Sequence, residues 1–124
     1  MSLFARLAVA LIVGVTGPLA MLWPHLRHPG LAAGMAVASV LAGAVAAPMF
    51  GRGGRAGAGT AVGGALLATF GAAALLGVVM APLMGALAGP VFVLARLAED
   101  PAVALIIFAG FALAHAAAGR LRRG

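Results

Sequence analysis

The chain has 124 residues, of which 65% are hydrophobic and only 8% are charged. About a quarter of the residues of a soluble domain are charged, and disordered chains are rich in charge and poor in apolar residues, so both classes are excluded. The basic residues, all arginine, lie between apolar segments, as in membrane-protein loops, which argues against a nucleic-acid partner. We therefore expect an all-α, polytopic membrane protein, built as one helical bundle over residues 1–124 and surrounded by the lipid bilayer.

Uncharged segments between these charges give the number of membrane crossings. One crossing needs roughly 20 apolar residues, and this length predicts four transmembrane helices, paired as two helical hairpins, at about 3–23, 30–50, 58–81 and 101–119. The first has no cleavage site in register and is interpreted as a retained span rather than a signal peptide. The third segment is about twice too long for one helix, so the third helix should be long or kinked at Pro82. Its extension over 83–98 is then interfacial or re-entrant, and the alternative is a fifth span.

Arginine placement favours four spans over five. Four spans place six arginines on one side, against Arg27, Arg96 and both acidic residues on the other, whereas five spans divide the arginines equally. Cytoplasmic loops carry the excess of basic residues. We therefore predict a multi-pass protein of the bacterial inner membrane with its N- and C-termini in the cytoplasm. The arginines expected to meet lipid headgroups there are Arg52, Arg55, Arg120, Arg122 and Arg123.

Two Gly-Pro pairs occur at related positions. Gly17-Pro18 is followed by Pro29, and Gly89-Pro90 is followed by Pro101, with 72 residues between the copies. Proline removes a backbone hydrogen bond, so both pairs are candidate helix breaks. One interpretation is a duplicated helical hairpin with a transporter-like site at the breaks. The other is that glycine and proline simply gather near span ends.

Small residues recur at every fourth position in two segments. Such spacing lets helix backbones approach closely inside a membrane, where packing drives association. We predict helix-packing surfaces at Gly34 and Ala38 in the second span, and at Gly77, Ala81, Gly85 and Gly89 in the third span and its extension. A face of this kind is also available to a protein partner or a second copy of the chain.

The sequence supplies few groups for chemistry. Glu99 and Asp100 are the only acidic residues, and Asp100-Pro101 is typical of a helix N-cap followed by the first helical residue. His25 and His28 with Met21 resemble a weak copper-ligand set, but simple loop polarity is the favoured interpretation. His115, in the last span, has no acidic partner for proton transfer and is placed near the interface. We expect no enzyme activity, no metal site and no cofactor.

Three functional hypotheses follow. The leading one is an accessory or assembly subunit that packs against a larger membrane complex. The second is a small transporter or channel that works as a homo-oligomer, with its site near the Gly-Pro pairs and a substrate that either meets backbone groups or is apolar. The third, favoured least, is a holin-like pore former with a basic tail.

Overall fold

The computed structural model describes residues 2–22 and 29–123, and every regular element in them is helical. The helices are α1 (Leu3–Leu22), α2 (Pro29–Ala46), α3 (Gly54–Met80), α4 (Pro82–Glu99) and α5 (Pro101–Arg123), with a short 3-10 turn at Ala47–Met49 after α2. By length and composition, five helices of the described chain could cross a membrane. The all-helical fold is confirmed, and the helices are consistent with a multi-pass membrane protein.

Helix starts follow the proline positions. Pro29, Pro82 and Pro101 are the first residues of α2, α4 and α5, where the missing N–H costs nothing because that group has no partner in a helix. Asp100 caps α5, since its Oδ1 accepts a hydrogen bond of 2.9 Å from the Ala102 N–H. The N-cap predicted at Asp100-Pro101 is therefore confirmed, and α1, α2, α3 and α5 match the four predicted spans to within a few residues.

Glycines bring α1 and α2 together as an antiparallel pair. Gly43 lies near the end of α2 and contacts Ala10 and Val13, while Gly17, near the end of α1, contacts Ser39. A Cβ at Gly43 would come within 2.9 Å of the Val13 Cβ, closer than side chains tolerate. Helix α3 in turn runs antiparallel to α2.

Helix α5 packs antiparallel to α1. Its Gly110 contacts Thr16, and further along it Ala118 contacts Gly51 in the segment between α2 and α3. The rings of Phe50 and Phe111 stack with centroids 5.8 Å apart. Around this stack lies the buried apolar cluster, formed by Val9, Val13, Ala46, Ala47, Phe50, Ala68, Phe111, Ala114 and Ala118.

The two ends of the bundle differ in charge. One end holds the starts of α1 and α3 and the ends of α2 and α5, and we call it the basic end. Its exposed arginines are Arg6, Arg52, Arg55 and Arg120. The other, the distal end, holds the ends of α1 and α3 and the starts of α2 and α5.

Helix α4 begins and finishes at the distal end. It follows α3 after a turn at Ala81 and runs back beside it, so that Gly85 contacts Gly77 and Gly89 contacts Ala73. Its last turns reach the end of α1, and α5 starts from the distal end immediately afterwards. The predicted 83–98 extension is therefore a separate helix folded back on α3, because Pro82 ends α3 and the small residues let the two backbones meet.

The predicted helix breaks are not observed. Helix α1 continues through Gly17-Pro18 and α4 continues through Gly89-Pro90. Within a packed helical bundle, neighbouring groups can compensate for the hydrogen bond that a proline removes. The interpretation of a duplicated hairpin is also unsupported, because α1 and α2 pack closely along their length whereas α4 packs mainly on α3 and little on α5.

Candidate functional site

The described bundle contains a cavity of about 410 Å³ to which all five helices contribute. It lies in the distal half, from Val13 to Met21 on α1 and from Ala68 to Met80 on α3. Helix α4 forms one wall, with the residues Met84, Gly85, Ala88, Gly89, Phe92 and Val93. A pocket of 300–1,000 Å³ is the usual size for a small-molecule site. The cavity is therefore the candidate functional site.

The chemistry of the cavity wall is almost entirely apolar. Of the chain's six methionines, four line it, namely Met21, Met35, Met80 and Met84. The polar side chains in the wall are the hydroxyl residues Thr16, Ser39 and Thr69. The Thr16 hydroxyl already donates a hydrogen bond of 2.8 Å to the Ile12 carbonyl of its own helix.

This wall suits an apolar molecule. Methionine adapts its shape because it is unbranched and polarizable, and apolar cavities stay dry and accept apolar molecules.

Most of the predicted helix-packing residues do lie at interfaces, but these are interfaces within the chain. A Cβ on either Gly77 or Gly85 would overlap the carbonyl oxygen of the other glycine, and a Cβ on Gly89 would overlap that of Ala73. Gly34 faces Leu76 of α3, whose Cδ1 is 3.4 Å from an ideal Cβ. These residues take part in α2–α3 and α3–α4 packing within the chain.

Two of the predicted packing residues have other roles. Ala38 is buried, with 5% of its surface exposed, and lines the cavity. Ala81 is exposed and forms the turn between α3 and α4. Its N–H donates to the Gly77 carbonyl at 2.8 Å, and its carbonyl accepts from the Gly85 N–H at 2.6 Å. Both backbone groups of Ala81 are thus hydrogen-bonded.

The two predicted Gly-Pro sites meet at the cavity. Gly17 and Gly89 both line it, although 72 residues separate them in the chain. Sequence reasoning identified both positions, but for a break that the structure does not contain. In the structure these glycines let neighbouring helices approach closely, because Gly17 of α1 contacts Ser39 of α2 and Gly89 of α4 contacts the Ala73 carbonyl of α3.

Arg96 joins α4 to α1 at the distal end. Its Nε donates a hydrogen bond of 3.1 Å to the Met21 carbonyl, and its Nη1 lies 3.3 Å from Glu99 Oε2. A cation near the last carbonyls of a helix is favourable for the helix dipole. Sequence reasoning missed this contact, and no local pattern could have revealed it because 75 residues separate the partners.

His115 binds the segment between α2 and α3. Its Nδ1 accepts a hydrogen bond of 2.9 Å from the Gly51 N–H. Gly51 has a φ of +85° and packs against the backbone of Ala118, so no side chain fits there. An accepting Nδ1 carries no proton, which places the ring proton on Nε2. This contact gives His115 a structural role.

The predicted headgroup arginines gather at the basic end. Arg52, Arg55 and Arg120 are exposed there, and Arg52 Nε also donates to the Pro48 carbonyl at 3.2 Å. Helix α5 extends to Arg123, so the backbone of Arg122 and Arg123 belongs to its last turn. Two chain segments thus carry exposed arginines at the same end of the bundle.

The proposed His25, His28 and Met21 set is only partly described. Both histidines lie outside the described residues, and Met21 lines the cavity. Within residues 2–22 and 29–123, no cluster of histidine, cysteine or acidic side chains is suited to a metal ion.

Comparisons with family models, with curated proteins and with solved structures find no match to this chain.

Proposed function

We propose that four helices, α1, α2, α3 and α5, cross the membrane and that α4 does not. The support is the direction of α5, which runs antiparallel to α1 and therefore leaves an even number of crossings between the two chain ends. Helix α4 starts after the end of α3 and finishes beside the end of α1, so it enters and leaves at the distal end. The basic end is then cytoplasmic and carries both termini, in the inner membrane of a bacterium.

Cysteine labelling of the full-length chain tests this topology without background, since the chain contains no cysteine. Single cysteines replace Arg55, Leu83 and Ala98 and are treated with a membrane-impermeant maleimide in intact and in opened cells. We expect Arg55→Cys to react only after opening, and Ala98→Cys to react in intact cells. Any reaction of Leu83→Cys should come from the same side as that of Ala98→Cys. Labelling of these two positions from opposite sides would establish a fifth span.

We further propose that the protein is a non-catalytic accessory subunit that packs against a larger membrane complex. The observation that carries this proposal is the outer face of α4. Leu83, Leu87, Val91 and Leu94 recur at helical spacing and are 88%, 75%, 61% and 56% exposed. This stripe lies opposite the Gly85–Gly89 edge that packs on α3. Large exposed apolar patches mark protein or membrane contacts, and this one belongs to a helix that does not cross the bilayer.

Native mass measurement after mild extraction tests the accessory role, with every co-purifying protein identified. We expect a stoichiometric, unrelated membrane protein in the particle. The double variant Leu83→Ser/Leu87→Ser should lose it, whereas Leu105→Ser/Leu113→Ser, on the exposed face of α5, should retain it. Recovery of the chain alone, or equal loss from both variants, would contradict the α4 interface.

A second candidate is a homo-oligomeric transporter or channel for an apolar substrate. The cavity favours it, because Gly17 and Gly89 both line a space to which all five helices contribute. Under this hypothesis the native particle contains only copies of this chain. Flux of an apolar substrate should fall when Gly17→Leu closes the cavity, while Gly71→Leu, at an open position on α3, should leave it intact.

A further inference from the structure

We propose that the cavity of the distal half holds one acyl chain of a bilayer phospholipid. This goes beyond the accessory role, since it assigns a ligand to the interior of the bundle. The wall is supplied by all five helices, so the cavity is a feature of the complete fold and not a groove on one helix.

The length and position of the cavity match one lipid leaflet. Its lining on α3 runs from Ala68 to Met80, which is about 18 Å at a rise of about 1.5 Å per residue. A hydrocarbon core about 30 Å thick gives each leaflet about 15 Å. On α1 and α2 the lining likewise stays in the distal part of each helix, from Val13 to Met21 and from Leu31 to Ser39. The cavity is therefore long, and confined to the half of the bundle that the outer leaflet would surround.

The side chains of the wall also suit a flexible hydrocarbon. The four methionines, Met21, Met35, Met80 and Met84, can adjust to a chain of varying conformation. Phe92 and Phe111 give apolar surface, and the glycines of α1, α3 and α4 have no side chain that would occupy the cavity. The hydroxyl that would otherwise seek a partner at Thr16 is bonded to its own helix. An acyl chain needs no hydrogen bond, so it can lie against Thr16 without leaving that hydroxyl unpaired.

Photocrosslinking of the full-length protein tests the proposal. The purified chain is reconstituted in phosphatidylcholine vesicles that contain a trace of phosphatidylcholine with a diazirine in one acyl chain, irradiated, and mapped by peptide mass spectrometry. We expect adducts at Ala38 and Ala72, which line the cavity and are only 5% and 9% exposed. Adducts confined to outward-facing residues such as Val62, Leu66 and Leu105 would overturn the proposal.

A pair of variants and a competition arm sharpen the result. Ala72→Phe should fill the cavity and lower the interior adducts several-fold, whereas Ala112→Phe, on an exposed position of α5, should leave them unchanged. Equal adduct yields in both variants would contradict the site. If Ala72→Phe does not fold, the positions of the adducts in the wild-type protein still test the proposal. Excess free fatty acid should not displace the phospholipid probe, and loss of the interior adducts in its presence would identify a free acid and overturn the assignment to a phospholipid.

Discussion

The guanidinium of Arg96 reaches the Met21 carbonyl with a hydrogen bond of 3.1 Å and so fixes the end of α4 to the end of α1. Helix α4 starts at the distal end after α3 and forms one wall of the cavity. Through this contact its last turn lies beside α1, and α5 follows directly. The same arginine pairs with Glu99 in its own helix. The Arg96 side chain thus holds the last turns of α4 against the end of α1.

Replacing Arg96 should loosen this closure. We expect Arg96→Met to lower the free energy of unfolding by about 1–3 kcal/mol, because a charged hydrogen bond to a helix C-terminus is lost. Thermal unfolding of the purified protein in detergent measures the change. Arg120→Met, at an exposed position near the end of α5, is the matched control and should change stability little. Equal effects in the two variants would show that Arg96 does not connect the helices.

Two glycines of α3 should respond to alanine in opposite directions. At Gly77 a Cβ overlaps the Gly85 carbonyl, so Gly77→Ala should separate α3 from α4 and cost about 1–3 kcal/mol. At Gly71 nothing lies within 4 Å of the new Cβ, so Gly71→Ala should stabilise the helix by about 0.5–1 kcal/mol. The thermal unfolding midpoint measures both effects, and it should fall for Gly77→Ala and rise for Gly71→Ala. A stabilising Gly77→Ala would mean that α4 is not packed on α3 at this position.

The His115 contact predicts a difference between two substitutions. His115→Leu leaves the Gly51 N–H without its acceptor and should cost about 1–2 kcal/mol. His115→Asn retains an acceptor near the Nδ1 position and should recover part of the loss. Hydrogen exchange at the Gly51 amide is the direct measurement, with exchange fastest in the leucine variant. Identical exchange in the wild type and both variants would contradict the hydrogen bond.

The cap of α5 can be tested in the same way. Asp100→Ala removes the acceptor of the Ala102 N–H and should destabilise the protein by about 1 kcal/mol. Asp100→Asn keeps a side-chain oxygen and should cost only a fraction of this. Proteolysis near residues 98–102 reports local fraying, and we expect faster cleavage in the alanine variant alone.

The sequence by itself determined the elements and their class. Apolar segments of about 20 residues specify membrane-spanning helices because a bilayer leaves no other partner for their backbone groups. Asp100-Pro101 was predictable as a helix start, because the aspartate side chain caps the first turn and the proline ring fits it. Pro82 was predicted only as a kink in the third helix, and in the structure it begins α4. These signals involve residues within a turn or two of each other.

The tertiary structure decided which helices pack against each other. The pattern of small residues indicated close packing at Gly77, Gly85 and Gly89, but not which helices would meet there. Gly-Pro pairs indicated breaks, yet Pro18 and Pro90 remain within continuous helices. The cavity, the Arg96 contact and the His115 contact join residues tens of positions apart. Such pairings depend on which helices become neighbours. Almost every helix face of this chain is apolar, so the hydrophobic pattern does not distinguish one neighbouring helix from another. Close shape complementarity at the glycines distinguishes them.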